Sequence, residues 1–275
     1  MLDGKKQMTE WQTLRLHEDA HVLTITLTRP QQKNAMNQLM VNELRQVFEN
    51  LTARRDLFAV ILRGQDGNFC AGGDIKDMSY DPETGREIQQ KNLIRANRNF
   101  GYLLQAVNSC PLTVIGILEG AVLGGGFGLC CVTDLALAHE EAQFGLPETS
   151  LGLIPAQIAP FVTLRIGLTQ TRRLALLGMR FNGREAKELG LVHGTFKDER
   201  DLESQLEATL KKLRKCAPGA NAVTKKLLMQ VVNTDLDAVL DQAAEDFAQA
   251  LMGPEGVEGR RAFFEKRPAE WMKPC

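Results

Sequence analysis

The sequence predicts an α/β fold, with a layered core of strands and helices over residues 1–195 and a helical C-terminal region over 196–275. Three observations lead there. Short apolar runs alternate with amphipathic helix patterns as far as Gly152. Two of those runs end in turns of small residues, Cys70-Ala71-Gly72-Gly73 and Gly124-Gly125-Gly126. After Gly152 the segments are rich in Leu, Ala, Lys and Glu, with almost no strand pattern between them.

The chain opens on a hairpin. Leu14 to Leu16 and Val22 to Leu27 flank Glu18-Asp19-Ala20, and Leu23, Ile25 and Leu27 alternate with threonines at the period of a half-buried strand. Arg29-Pro30 stops it, and a loop holding Lys33 and Asn34 leads to a helix capped by Asn37. Met36, Met40, Leu44, Val47, Phe48 and Leu51 share one face of that helix. Arg29 and Lys33 read as solvated loop charges unless a ligand phosphate lies nearby. Phe58 to Leu62 has the continuous apolar character of a strand buried on both faces. Phe69 to Asp74 then runs through small residues into a helix expected near Ile75. The polar stretch 80–85 reads as a loop. A helix follows from about Arg86 to Val107, with Ile94, Leu103, Leu104 and Val107 inward. The strand Leu112 to Leu118 reaches the triple glycine, and Asp134 to Ala138 and Gln143 to Glu148 come after it. Further on, Thr169 starts a helix that stops at Gly178, and Asn182 starts another that ends at Gly190. Helices over about 199–215, 221–232, 235–251 and 255–265 complete the chain.

Composition excludes several classes. With 33 basic and 34 acidic side chains, the net charge of −1 points away from nucleic acid and anionic membranes as partners. No apolar h-region follows the N-terminus and no stretch has the length of a membrane span, so a cytoplasmic protein is expected. The six cysteines lack CxxC spacing and the four histidines lack HExxH, so buried reduced thiols and no metal site are expected. GxGxxG, GKS/GKT and GxSxG are all absent, which argues against nicotinamide, ATP and α/β-hydrolase sites.

What remains is a pair of strand-to-helix turns and the carboxylates near them. Turns lined by small residues let a ligand approach the backbone, and two of them could each offer one N–H to the same oxygen, as in an oxyanion hole. The same glycines would equally serve to let a helix pack closely on a strand. Glu148, in Leu146-Pro147-Glu148-Thr149-Ser150-Leu151-Gly152, lies between apolar segments. A carboxylate in a partly dry pocket has a raised pKa and can exchange protons near neutrality; a plain helix-start or surface glutamate is the alternative. Asp74 and Asp134 read as turn or cap residues.

Several ordered motifs carry a family likeness: Phe69-Cys70-Ala71-Gly72-Gly73-Asp74-Ile75-Lys76-Asp77-Met78, Gly120 through Gly126, Gln143-Phe144-Gly145-Leu146-Pro147-Glu148 with Gly152-Leu153-Ile154-Pro155, and Glu185 to Val192. Over about residues 12 to 268 the chain resembles the enoyl-CoA hydratase/isomerase, or crotonase, superfamily. The resemblance implies a crotonase-like spiral of ββα units, with two roughly perpendicular sheets, followed by a helical trimerisation region, and assembly as homotrimers or dimers of trimers. It implies an acyl-CoA thioester substrate with coenzyme A as part of that substrate, and no separate cofactor. It assigns Ala71 and Gly125 as the N–H donors to the thioester oxygen and Glu148 as the acid/base. It further implies substrate or coenzyme A contacts at Lys33, Ala35, Gly73, Asp74, Ile75, Lys76, Gly124, Gly128 and Lys266, while the 80–85 loop, from its place next to the candidate site, is a candidate for shaping an acyl pocket.

The chain departs from the best-known hydratases at Gly128, where they carry a first glutamate. With Ile154 to Phe161 it is similar instead to bacterial hydratases of branched glutaconyl-CoA substrates, the methylglutaconyl and isohexenylglutaconyl types of leucine and acyclic-terpene degradation. That likeness implies hydration of a 3-branched 2-enoyl-CoA by Glu148, with space opened beside Gly128 for the branch. A single-carboxylate 3,2-enoyl-CoA isomerase and a non-catalytic or RNA-binding trimeric relative are the alternatives.

Overall fold

The alternating threonines and aliphatics of residues 14–27 form the expected hairpin, in which β1 (Leu14–Asp19) and β2 (Val22–Leu27) pair antiparallel across Ala20 and His21, both at positive φ. A computed structural model describes residues 11–78, 85–232 and 234–272. Val22 and Thr26 are buried along with Leu23, Ile25 and Leu27, so β2 is covered on both faces rather than one. In α1 (Gln38–Leu51) the Asn37 side chain accepts the Met40 N–H at 2.9 Å, and Met40, Leu44, Val47, Phe48 and Leu51 face the core as expected. β3 (Ala59–Gly64) follows.

The helix expected at Ile75 is only a single 3-10 turn, Ile75–Met78. The acyl-pocket loop expected at 80–85 falls, but for Gly85, outside the described residues. In α2 (Arg86–Asn108), Leu103, Leu104 and Val107 are buried but Ile94 is 61% exposed, because the N-terminal half of the helix runs out beyond the core. Next come β4 (Thr113–Leu118), β5 (Ala121–Leu123), α3 (Gly125–Cys131), β6 (Leu135–His139), β7 (Gln143–Gly145) and a 3-10 turn, Glu148–Leu151. α4 (Ala159–Leu176) starts ten residues before Thr169, with Pro160 in its first turn, and is broken at Gly167, where φ is 76°. β8 (Arg180–Phe181) leads to α5 (Gly183–Glu188), which has a capping box between Asn182 and Glu185. β9 (Gly194–Phe196), α6 (Glu199–Leu213), α7 (Pro218–Gln230), α8 (Leu236–Met252) and α9 (Pro254–Phe264) complete the fold.

Two sheets result. The larger has the order β1-β2-β3-β4-β6-β9 and is parallel from β2 onward; the smaller is β5-β7-β8. Each turn of the chain lays a strand in the large sheet, an extended segment in the small one, and then a helix. β4, β5 and α3 form one such turn, and β6, β7 and α4 the next. Cys70 extends the small sheet by a bridge to Val122, and Gly73 is bridged to Met36. The main core lies between the sheets and α1–α4. The opposite face of the large sheet, with Val22, Ile61, Ile115, Ile117 and Leu137, is covered by Leu202 and neighbouring leucines of α6. Lys225 ties α7 to the core through Asp134 at 2.7 Å. Past that contact, α8 and α9 leave Phe247, Met252, Phe263 and Phe264 exposed.

Candidate active site

Strand pairing decides which backbone groups of the 69–74 turn are free. The Cys70 N–H donates to Ala121 O at 2.8 Å, and Cys70 O accepts the Leu123 N–H, so Cys70 faces β5. The next groups point the other way. Ala71 N–H donates to Lys33 O at 3.0 Å, Met36 N–H to Gly72 O at 2.8 Å, and Asp74 N–H to Met36 O at 2.9 Å. Gly73 is the parallel bridge partner of Met36, whose two pairing bonds go to Gly72 O and the Asp74 N–H, so the Gly73 N–H itself points away from Met36. At the β5–α3 junction the Gly125 N–H, the first of α3, has no acceptor within its own helix. The two turns do converge, since a Cβ on Gly72 would lie 3.6 Å from the Gly125 nitrogen. The donor expected at Ala71 is therefore spent on Lys33 O, which leaves Gly73, next to the Gly72 that approaches Gly125, as the donor of this turn not used in pairing with the 33–36 segment.

The three glycines answer to three different neighbours. Gly124 has φ 49°, and a Cβ there would sit 2.9 Å from Glu148 Oε1. A Cβ on Gly125 would meet Met36 Cε at 2.8 Å and Phe100 Cζ at 3.3 Å. One on Gly126 would strike the Cys70 carbonyl oxygen. Close packing and ligand access, which the sequence left as alternatives, both apply: Gly126 packs on the strand, while Gly124 and Gly125 line the opening.

Glu148 reaches this turn because β7 pairs in parallel with β5, Leu123 opposite Gly145, and the Gly124 N–H donates to Gly145 O at 3.0 Å. Phe127 of α3 packs edge-on against Phe144 and Phe181 beneath the turn, which fixes α3 to the small sheet. Three residues after Gly145, the Glu148 carboxyl lies against Gly124, half-buried. Burial raises its pKa above the ordinary glutamate value, and a hydrogen bond from its own backbone N–H offsets part of that rise. Its Oε2 is shielded from solvent and has no hydrogen-bond partner among the described residues. Such an oxygen is placed to take and return a proton.

The space expected beside Gly128 is filled. A Cβ on Gly128 would come 2.2 Å from Ile158 Cγ2 and 2.9 Å from Ile158 Cβ, and Ile158 is only 3% exposed. Gly128 thus opens no pocket; it makes room for Ile158. Met36 and Phe100 pack beside Gly125, whereas Leu104 and Ile158 pack beside Gly128 in the core.

The other expected contact residues divide by location. Ala35 and Asp74 are held by Arg29, whose guanidinium bonds Ala35 O and pairs with the Asp74 carboxylate at 2.7 Å. That pairing holds the Asp74 pKa below the usual carboxylate value. Asp74 Oδ1 also accepts the Lys76 N–H, so this side chain is structural, as first read from the turn. Lys33, Ile75 and Lys76 lie on the exposed side of the same turn. Lys266 is exposed just after α9, with its N–H on Phe263 O.

Sequence reasoning missed Arg29, Asn34, Met36, Phe100 and Ile158. Arg29 is no solvated charge: its side chain is 17% exposed. Asn34 is fully buried, with its amide on Gln65 O and Asn68 O and its oxygen on the Arg29 N–H. Together they clamp the 29–36 loop onto the donor turn. A buried polar loop residue at positive φ gives no sequence signal beyond Asn itself.

Among the described residues, no group of His, Cys, Asp and Glu could hold a metal, and no helix is long and apolar enough to cross a membrane. The enoyl-CoA hydratase/isomerase family model matches residues 17–274. The chain is 30% identical over 248 residues to enoyl-CoA hydratase ACTT6 of Alternaria alternata, covering 90% of this chain and 79% of that one. Among solved structures, it is similar to Pseudomonas aeruginosa AtuE, at 53% identity and TM-score 0.91, covering 95% of this chain and 100% of that one. An enoyl-CoA hydratase/isomerase from Marinobacter aquaeolei is 49% identical with TM-score 0.89, covering 95% and 99%.

Proposed function

The chain belongs to the enoyl-CoA hydratase/isomerase family, and on that premise we propose that it adds water across the 2,3 double bond of a 3-branched 2-enoyl-CoA. Isohexenylglutaconyl-CoA and methylglutaconyl-CoA are the substrate types in view. The observation that carries this reading is the Glu148 carboxyl against Gly124, with a shielded oxygen that has no partner among the described residues and a raised pKa, beside the junction where the 69–74 turn meets Gly125.

The thioester oxygen sits between the N–H groups of Gly73 and Gly125. Negative charge grows on that oxygen as the enolate forms, so fixed donors stabilise the transition state more than the ground state. Loss of one such donor costs about 3 kcal/mol. Glu148 takes a proton from water as the water oxygen bonds to C3, and the same carboxyl returns a proton to C2. The overall change is one O–H added across the double bond, with Glu148 regenerated. Position 128 holds no acid, so Glu148 does all the proton work. The apolar Met36 and Phe100 beside Gly125 support an aliphatic acyl group next to the donors. We further propose a homotrimer or dimer of trimers in the cytoplasm, in which the exposed aromatics of α8 and α9 are covered by neighbouring copies.

A purified-protein assay with methylglutaconyl-, isohexenylglutaconyl- and crotonyl-CoA in 18O-labelled water tests this. Hydration adds the label to the product. Turnover with a shifted double bond and no label would favour the 3,2-isomerase reading, for which the lone Glu148 also suffices. Absence of turnover on all three would sink both.

A further inference from the structure

The loop between β2 and α1 holds two successive non-glycine residues in the left-handed region, Lys33 at φ 49° and Asn34 at φ 56°. Each is costly locally and persists only where its surroundings over-determine it. Asn34 is fully buried, and both amide hydrogens and the oxygen of its side chain are engaged. Its backbone N–H donates to Arg29 O and its Oδ1 accepts the Arg29 N–H, each at 2.9 Å, which closes the loop on the end of β2. Its Nδ2 donates to Gln65 O at 2.9 Å and to Asn68 O at 2.6 Å, which ties the loop to the turn after β3. A Cβ on Gly64 would strike Asn68 O and lie 2.8 Å from Asn34 Nδ2, so the backbone at 64 is bare where this amide packs. Residues 69–74 run on directly from Asn68. One face of that segment is set by β5 through Cys70; the other bonds Lys33 O and the backbone of Met36. Apart from the Met36–Gly73 bridge the 29–36 loop belongs to no sheet, so its anchors decide where Lys33 O and Met36 stand. Any shift of the loop moves the bonds of Ala71, Gly72 and Asp74 together, and Gly73 with them.

We propose that Asn34 is a positioning residue for catalysis: its amide locks the left-handed 33–34 loop to both ends of the 65–68 turn, and so holds the Gly73 N–H at the distance and angle that the thioester oxygen requires. The inference rests on the acyl-CoA reading above and deepens it. Asn suits the position because it tolerates positive φ and carries two donors and an acceptor on one short side chain. Without its amide, Gln65 O and Asn68 O lose the donor that fixes them.

The test compares the wild type with Asn34→Gly, which accepts the same backbone conformation and removes only the side chain. Asn34→Asp keeps the shape and the acceptor but not the two donors, and serves if the glycine variant does not fold. Leu202→Ala, in the core under α6 on the opposite face of the large sheet, controls for lost stability alone. The carbonyl stretch of 1-13C-butyryl-CoA, a saturated thioester that cannot be hydrated, is read by infrared difference spectroscopy on the full chain, alongside kcat and KM for hydration. The wild type should lower the stretch below its value in buffer, because fixed N–H donors weaken the C=O bond. Both Asn34 variants should move it back toward that value, with kcat down about 10-fold to 100-fold and KM within about 3-fold. Leu202→Ala should keep the wild-type band and kcat. A wild-type band no lower than in buffer, an unchanged band and kcat in the Asn34 variants, a loss carried by KM alone, or the same loss in Leu202→Ala overturns the proposal. A band that depends on Asn34 in a protein that hydrates no enoyl-CoA leaves this inference standing and refutes the proposed reaction. Hydration that survives undiminished in the Asn34 variants does the reverse.

Discussion

Placing a methyl group at Gly128 is expected to destabilise the protein, and the geometry sets the size of the effect. The new Cβ would lie 2.2 Å from Ile158 Cγ2 and 2.9 Å from Ile158 Cβ, where carbon atoms pack at about 3.5–4.0 Å. Rotating Ile158 about χ1 moves Cγ2 away but leaves Cβ where it is, so the backbone of α3 or α4 has to shift. Overpacking costs about 1–3 kcal/mol, here about 3 because Ile158 Cβ cannot rotate out of the way, and the better helix propensity of Ala over Gly returns about 1 kcal/mol. Gly128→Ala should therefore lose about 2 kcal/mol. Ile158→Ala alone leaves a cavity and should lose about 3 kcal/mol. In Gly128→Ala/Ile158→Ala the new methyl fills part of that cavity and the closest clash is gone, so the double variant should lose about 2 kcal/mol rather than the additive 5. The coupling of about 3 kcal/mol is read from urea unfolding followed by circular dichroism at one fixed protein concentration, with the slope checked for constancy. Additivity within about 0.5 kcal/mol, or a Gly128→Ala variant as stable as the parent, would refute the packing argument.

Glu148→Gln should abolish turnover while acyl-CoA binding, measured by calorimetry, stays within a few fold. Because burial raises the folded-state pKa of Glu148, its ionisation opposes folding. The stability it costs is absent below the unfolded glutamate value and grows as pH rises through the folded one. Glu148→Gln should then raise the melting temperature at pH 8 but not at pH 4, and an equal shift at both would contradict the assignment. Arg29→Ala and Asp74→Asn should show a double-mutant coupling of about 1–3 kcal/mol in unfolding, together with a fall in kcat, because their pairing holds the Gly73 turn. Asp74, with its lowered pKa, loses that stabilisation only as pH falls through the folded value, below the ordinary Asp range. Among the described cysteines, only Cys216 is exposed, while burial pushes Cys70 and Cys130 up to about 12. Iodoacetamide followed by peptide mapping should therefore label Cys216 in the native protein and leave Cys70, Cys110, Cys130 and Cys131 unlabelled until it unfolds.

The sequence by itself determined the periodic elements and the identity of the chemical groups. Alternation set β2, capping set α1 and α5, and the small-residue turns with Glu148 marked the site, because these are local effects of backbone sterics and side-chain type. Helix ends failed where the local signal competed with packing, as in α4, which passes Gly167 and starts well before Thr169. What only the tertiary structure decided was direction and occupancy. Ala71 and Gly73 are both small, and the pairing of the 69–74 segment spends the Ala71 N–H on Lys33 O while leaving the Gly73 N–H outside the pairing with Met36. Gly128 reads as open space until Ile158, thirty residues later, is seen filling it. Both follow from contacts between segments far apart in the chain, which no local pattern encodes.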